Sequence, residues 1–280
     1  MTRWTTSTRS TPRIATKLRE AEGHRAERLA SRLHGARLAG LEQLFAYLEL
    51  LERAYESEDD LKPLAFLIRR SARDFETALE ATLSAYQGVA ADAMRDVMEI
   101  EYLLLDFAAH PDHAAEWLTC DRQFRLREYS PAKLRERLSS AGVPPFSDEG
   151  WEPLDYRAHS ESLHVTPAAP LVGARGIETQ RDPFLADIGF IEMFEHASRF
   201  LRAAEILRYD RLGEPDDFEL LMPMDDFDDA RARTGEMQVM IVAMLEGPRL
   251  LTQQLGRPPT TSEVLRYVRD EVATKSPRAE

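Results

Sequence analysis

The sequence predicts an all-α protein, a bundle of about nine helices. Three observations predict it. Apolar residues recur at spacings of three and four through most of the chain, the period of a helix with one buried face. Helix punctuation recurs between these runs, as in Ser130-Pro131 and Thr260-x-x-Glu263. No segment alternates apolar and polar residues between hairpin turns, so no strand is expected.

Residues 1–13 are rich in Thr, Ser and Arg and are expected to form a disordered basic tail. Ile14 to His34 reads as a basic, exposed helix stopped at Gly35. Leu38 to Ser57 carries a core stripe of Leu41, Leu44, Phe45, Leu48, Leu51 and Tyr55. Asp59 and Asp60 are expected to cap a long helix from Leu61 to Tyr86, with Pro63 in its first turn. Its core face is Leu64, Leu67, Ile68, Phe75, Leu79 and Leu83, and Gly88 should separate it from the next helix.

That next stretch, beginning at Asp92, is apolar around most of its circumference through Met94, Val97, Met98, Tyr102, Leu105 and Ala109. It should be the central helix. Arg95, Asp96, Glu99 and Glu101 lie in its first half, and charges inside a bundle require partners. Pro111 ends it and opens the next helix.

Asp112 to Tyr129 is expected to be helical, and Ser130-Pro131 opens a helix over 132–141. A short helix should run from Pro153 to His164. The Pro- and Gly-rich stretch from Val165 to Pro183 is the best internal boundary. Phe184 to Leu212 and Asp228 to Leu255 read as helices, and a Thr260/Glu263 capping box starts the last one. The domain reading is therefore a basic tail (1–13), a bundle with the candidate site (14–166), a linker (167–183) and C-terminal helices packing on the bundle (184–280).

Bulk composition narrows the function classes. Of 280 residues, 43% are hydrophobic and 30% charged, as in a soluble globular protein. No apolar run is long enough to span a bilayer and no secretory signal is evident, so no membrane partner is expected and a cytoplasmic location is. The single Cys120 excludes an intrachain disulfide or a multi-cysteine zinc site. The net charge is −13. Residues 1–40 hold nine basic and three acidic residues, a net of +6 that leaves −19 elsewhere. The basic segment should either dock on the acidic body or contact nucleic acid, and docking is favoured.

The most informative polar stretch is Tyr156 to His164. Arg157 and His164 are seven apart and lie about 20° from each other on a helix. Ser160 and Glu161 complete that polar stripe. A guanidinium can grip a phosphodiester, and a neutral imidazole can move a proton near pH 7. The same spacing also suits a surface ion pair between Arg157 and Glu161, with His164 at a helix end. His110, His113 and Glu116 are spaced three apart, but a further metal ligand is not identifiable, so capping and interhelix hydrogen bonds are expected of them. Glu192/His196 and the Asp225–Asp229 run lack metal-site spacing. The segment from Leu255 to Val268 looks like half of a helix-turn-helix without its recognition helix. No cofactor motif appears.

The pair Arg157 and His164, with six residues between, resembles the Arg-x(4–6)-His motif of the HEPN superfamily. The wider layout of Arg95-x-x-x-Glu99, His110-Pro111, Ala115, Trp117 and Tyr156-x-x-x-Ser160-x-x-x-His164 also resembles a group of uncharacterised bacterial helical proteins. Ala158 stands where the superfamily often has Asn, Asp or His. The resemblance covers about residues 60–170. It implies a HEPN-like helical core with extra C-terminal helices, and metal-independent cleavage of RNA by a toxin or phage-defence effector. Arg157 and His164 would be catalytic, Ser160 would share their stripe, and Glu99 or Asp96 would support them from the core helix. RNA, a protein partner such as an antitoxin, and a second copy of the chain are the partners it implies. A non-catalytic helical scaffold is the alternative.

Overall fold

The structure, a computed structural model, describes residues 12–143, 156, 183–209, 243 and 246–275. Every regular element among them is helical. The expectations for the basic tail, the 167–182 linker, the short helix beyond Tyr156 and the loop after Leu212 lie outside the described residues.

In chain order the helices are α1 (Arg13–Arg32), α2 (Gly35–Ser57), a 3₁₀ turn (Lys62–Leu64), α3 (Ala65–Leu83), α4 (Gln87–Ala109), α5 (Asp112–Thr119), α6 (Arg122–Glu128), α7 (Pro131–Ser140), α8 (Pro183–Tyr209), α9 (246–255) and α10 (Thr261–Lys275). α4 is central, packing most extensively on α8 and α3 and then on α7. Fourteen of its residues are buried, an unbroken run from Ile100 to Ala108 among them. α2 lies on the outer side of α3 through Leu41, Leu44, Leu48, Leu51 and Tyr55. Phe75 of α3 meets Phe200 of α8 edge to face at 6.2 Å. Each fully buried side chain of this size contributes roughly 1.5–3 kcal/mol.

Gly35 does not stop α1. It stands at φ +55° and opens α2, after α1 has ended at Arg32. The helix expected from Leu61 to Tyr86 is a 3₁₀ turn followed by α3, and neither start carries a side-chain cap from Asp59 or Asp60. Its break lies at Ala85, not Gly88. Ala85 adopts φ +66°, Tyr86 N donates to Ala81 O and Ala85 N donates to Thr82 O. This is the paired-bond helix ending that glycine normally supplies. Gly142 ends α7 with the same two bonds. Gly88, the nearest glycine to the α3 break, sits in the first turn of α4. The expected helix from Asp112 to Tyr129 is also two helices. Cys120 is extended, and Asp121 accepts a hydrogen bond from Phe124 N at 2.9 Å to cap α6.

The basic N-terminal segment docks on the body. Arg25 pairs with Glu80 at 2.8 Å, and Arg28 is buried and donates to the Leu83 carbonyl. Arg32 and Arg37 converge on Asp187 of α8 at 3.4 and 2.7 Å. At the other end the Thr260/Glu263 capping box forms as expected, with Thr260 N donating to Glu263 at 2.7 Å. Arg257 adds a forked pair to the same carboxylate. These bonds hold the Glu263 carboxyl down at about 2. No helix among the described residues is long and apolar enough to cross a membrane.

α8 approaches α3 closely at Gly189, where a Cβ would stand 2.5 Å from the buried Thr82 Oγ1. Gly189→Ala is expected to destabilise the protein by about 1–3 kcal/mol, the cost of overpacking a rigid core. Thr82→Ala in the same chain should recover part of that loss. A denaturant double-mutant cycle checks this, and simple additivity would refute the contact.

Candidate functional site

α4 combines a buried core with a polar stripe. Arg95, Glu99, Tyr102 and Asp106 follow at spacings of four, three and four, the spacing of core residues on one face. Buried charge must be matched locally, and two sets of partners do so.

The first set surrounds Tyr156. Its hydroxyl donates to Glu99 Oε1 at 3.0 Å and accepts from Arg95 Nη2 at 3.3 Å. Arg95 and Glu99 pair directly at 3.1 Å. The guanidinium groups of Arg95 and of Arg135 from α7 each lie 5.5 Å from the centre of the Tyr156 ring. Tyr102 packs against that ring at 5.9 Å. Burial, then the Glu99 charge, raises the tyrosine pKa. Tyr156 is thus seated on the stripe by ring contacts and by hydrogen bonds.

The second set surrounds Asp106, whose side chain is fully buried. Arg137 of α7 donates to both carboxylate oxygens at 2.8 and 2.9 Å. His113 of α5 places Nδ1 2.9 Å from Oδ2. A carboxylate oxygen accepts, so His113 donates to it from Nδ1. Arg137 also donates to the Glu128 carbonyl at 2.6 Å and lies over the Tyr129 ring at 5.0 Å. Tyr129 donates to Glu116 at 2.6 Å. His110 packs against His113 with ring centres 4.7 Å apart. It borders a shallow groove of about 490 Å³ lined also by Lys133, Arg137 and Ser140.

Of the residues singled out by sequence, Glu99 lies in the Tyr156 set. Arg157, Ser160 and His164 lie outside the described residues. Asp96, the other acidic residue considered, turns instead to α3, where Arg70 grips both its oxygens. Asp74 beside it is raised to about 7 by burial, by a hydrogen bond to Asp96 and by that group's charge. His110, His113 and Glu116 make the interhelix contacts expected of them. Among the described residues no three His, Cys, Asp or Glu side chains gather to hold a metal ion. Glu192 and His196 lie 3.6 Å apart along α8.

The Asp106 set was missed at the level of sequence. Its one local signal was an acid inside the apolar run from Leu103 to Ala109. Its partner Arg137 is 31 residues away, a distance that periodicity does not bridge. No family model, curated protein or solved structure matches the chain.

Asp106→Ala should cost about 3–5 kcal/mol, because it removes the buried carboxylate that both Arg137 and His113 reach. Thermal unfolding is the check. A loss under 1 kcal/mol would show that the node does not hold α5 and α7 to α4. Asp74 sets a pH dependence. Folded, it keeps its proton up to about 7, whereas its ordinary value is 3.8. Folding therefore binds a proton between these values, and stability falls as pH rises from 4 to 7, then levels. In Asp74→Asn that slope should flatten when denaturation midpoints are compared across the range.

Proposed function

We propose that the chain is a metal-independent endoribonuclease of the HEPN-like kind, with Arg157, His164 and Glu99 as its working groups and Ser160 on their stripe. The observation that carries this reading is the bond from Tyr156 to Glu99. Tyr156 is the residue immediately before Arg157, and Glu99 is the acid expected to support the motif from the core helix. In the proposed reaction the 2′-hydroxyl attacks the adjacent phosphorus. Its proton passes to a base, the bond to the 5′-oxygen breaks, and that oxygen takes up a proton. His164 is suited to one of these transfers, and Arg157 to the charge on the phosphoryl oxygens. Two copies of the chain would bring two Arg157/His164 pairs into one site. A cytoplasmic toxin or phage-defence effector restrained by a protein partner is the setting this activity suits.

The second reading is a non-catalytic helical scaffold. It is favoured by Ile14 and Leu18, which are 72% and 58% exposed on basic α1.

Incubation of a mixed RNA pool in EDTA decides between them. The wild type should cleave, and His164→Ala should lose about 10²-fold or more of the rate. Tyr156→Phe keeps the ring contacts but loses the bond to Glu99, and should lower kcat with little change in KM. Equal cleavage by wild type and His164→Ala would remove the proposed acid–base group. No cleavage by either would favour the scaffold.

A further inference from the structure

α3, α5 and α6 carry an aromatic and cationic surface that the reading above does not use. Phe66, at the start of α3, is 42% exposed. Its ring lies nearly parallel to that of Trp117 on α5, 9° apart with centres at 6.0 Å. The guanidinium of Arg125 on α6 lies over the same indole at 5.2 Å. Arg125 is held there by the carbonyls of Trp117 and Cys120, both at 3.0 Å. Three planar groups from three helices therefore make one preorganised cluster, with Phe66 as its solvent-facing member.

The charges around it are unusual for this protein. The chain is acidic overall, at −13. Yet Arg73 lies two turns after Phe66, about 20° away on the same face of α3. Lys62 precedes Phe66 by one turn, and Arg122 precedes Arg125 by three residues. Among the described residues none of Lys62, Arg73 and Arg122 pairs with a carboxylate, whereas Arg70 and Arg127 do. Holding unpaired cations beside an exposed aromatic ring suits a flexible polyanion with flat apolar faces.

We propose that this surface, formed by Phe66, Trp117, Arg125, Arg122, Arg73 and Lys62, docks single-stranded RNA. A base stacks on Phe66, and the neighbouring phosphates meet the unpaired cations. The proposal rests on the ribonuclease reading for its choice of ligand, but it uses neither Arg157 nor His164.

The test is fluorescence anisotropy of a labelled uridine 12-mer in EDTA at low salt, with the full chain carrying His164→Ala so that no RNA is consumed. That protein should bind, with quenching of indole fluorescence. Adding Phe66→Ala should weaken binding about tenfold or more, whereas Phe66→Tyr should not. Adding Arg122→Glu and Arg73→Glu should weaken binding and flatten its salt dependence. Circular dichroism and thermal unfolding confirm that each variant folds. Absence of RNA binding overturns the proposal, as does binding indifferent to these substitutions. Capture of an acidic peptide in place of RNA would assign the patch to a protein partner and also overturn it. RNA binding of the expected kind without cleavage by the wild type would sustain the docking surface while removing the ribonuclease reading. Cleavage with KM unchanged in Phe66→Ala would do the reverse.

Discussion

A fully buried carboxylate, Asp106, constrains how the middle of this chain is assembled. An ionised acid inside a bundle is tolerable only when its oxygens are filled by donors. Arg137 and His113 fill them, and each arrives on a different helix. The requirement therefore fixes α5 and α7 against the last turn of α4. Tyr129 and Glu116 extend the network through the short helices between them. These helices are short and α5 and α6 bury no residue completely, so apolar packing alone would position them weakly. Polar contacts supply the geometry, and apolar burial on α3, α4 and α8 supplies most of the stability.

The same helix carries the Tyr156 set two turns earlier. Arg95 and Glu99 share its polar stripe with Asp106, and α7 supplies a partner to both sets through Arg135 and Arg137. A rigid helix in the centre of the bundle is a suitable support for groups that must be held at fixed distances. Glu99 owes its orientation to Arg95 and Tyr156 together, and Asp96, three residues earlier, faces another helix altogether. Two acids close in sequence are thus separated into different environments by the turn of one helix.

Helices with a strong apolar period were legible: the core positions of α2, α3 and α4 are largely those the spacing picks out. The capping box at Thr260 was legible because its bonds are local. Breaks were less so. The α3 ending uses Ala85 in a conformation that favours glycine, so Gly88 drew the boundary three residues late. The α5–α6 break depends on Asp121 as a cap, without the Gly or Pro that usually signals an interruption. The site was legible only in part. Glu99 was recognised as a charge needing a partner, while Tyr156 as that partner was hidden 57 residues downstream.

The sequence by itself determined the all-helical class, the central place of α4 and the basic character of the N-terminal helix. Each follows from periodicity, composition or charge, properties that act over a few residues or in bulk. Only the tertiary structure decided which charges meet: Arg137 with Asp106, Arg37 with Asp187, Tyr156 with Glu99, Arg199 with Glu101. The reason is physical. A buried ion needs a partner within about 3 Å, at an angle set by where two helices cross. That crossing is fixed by the packing of the whole core, down to the space left by Gly189 against Thr82.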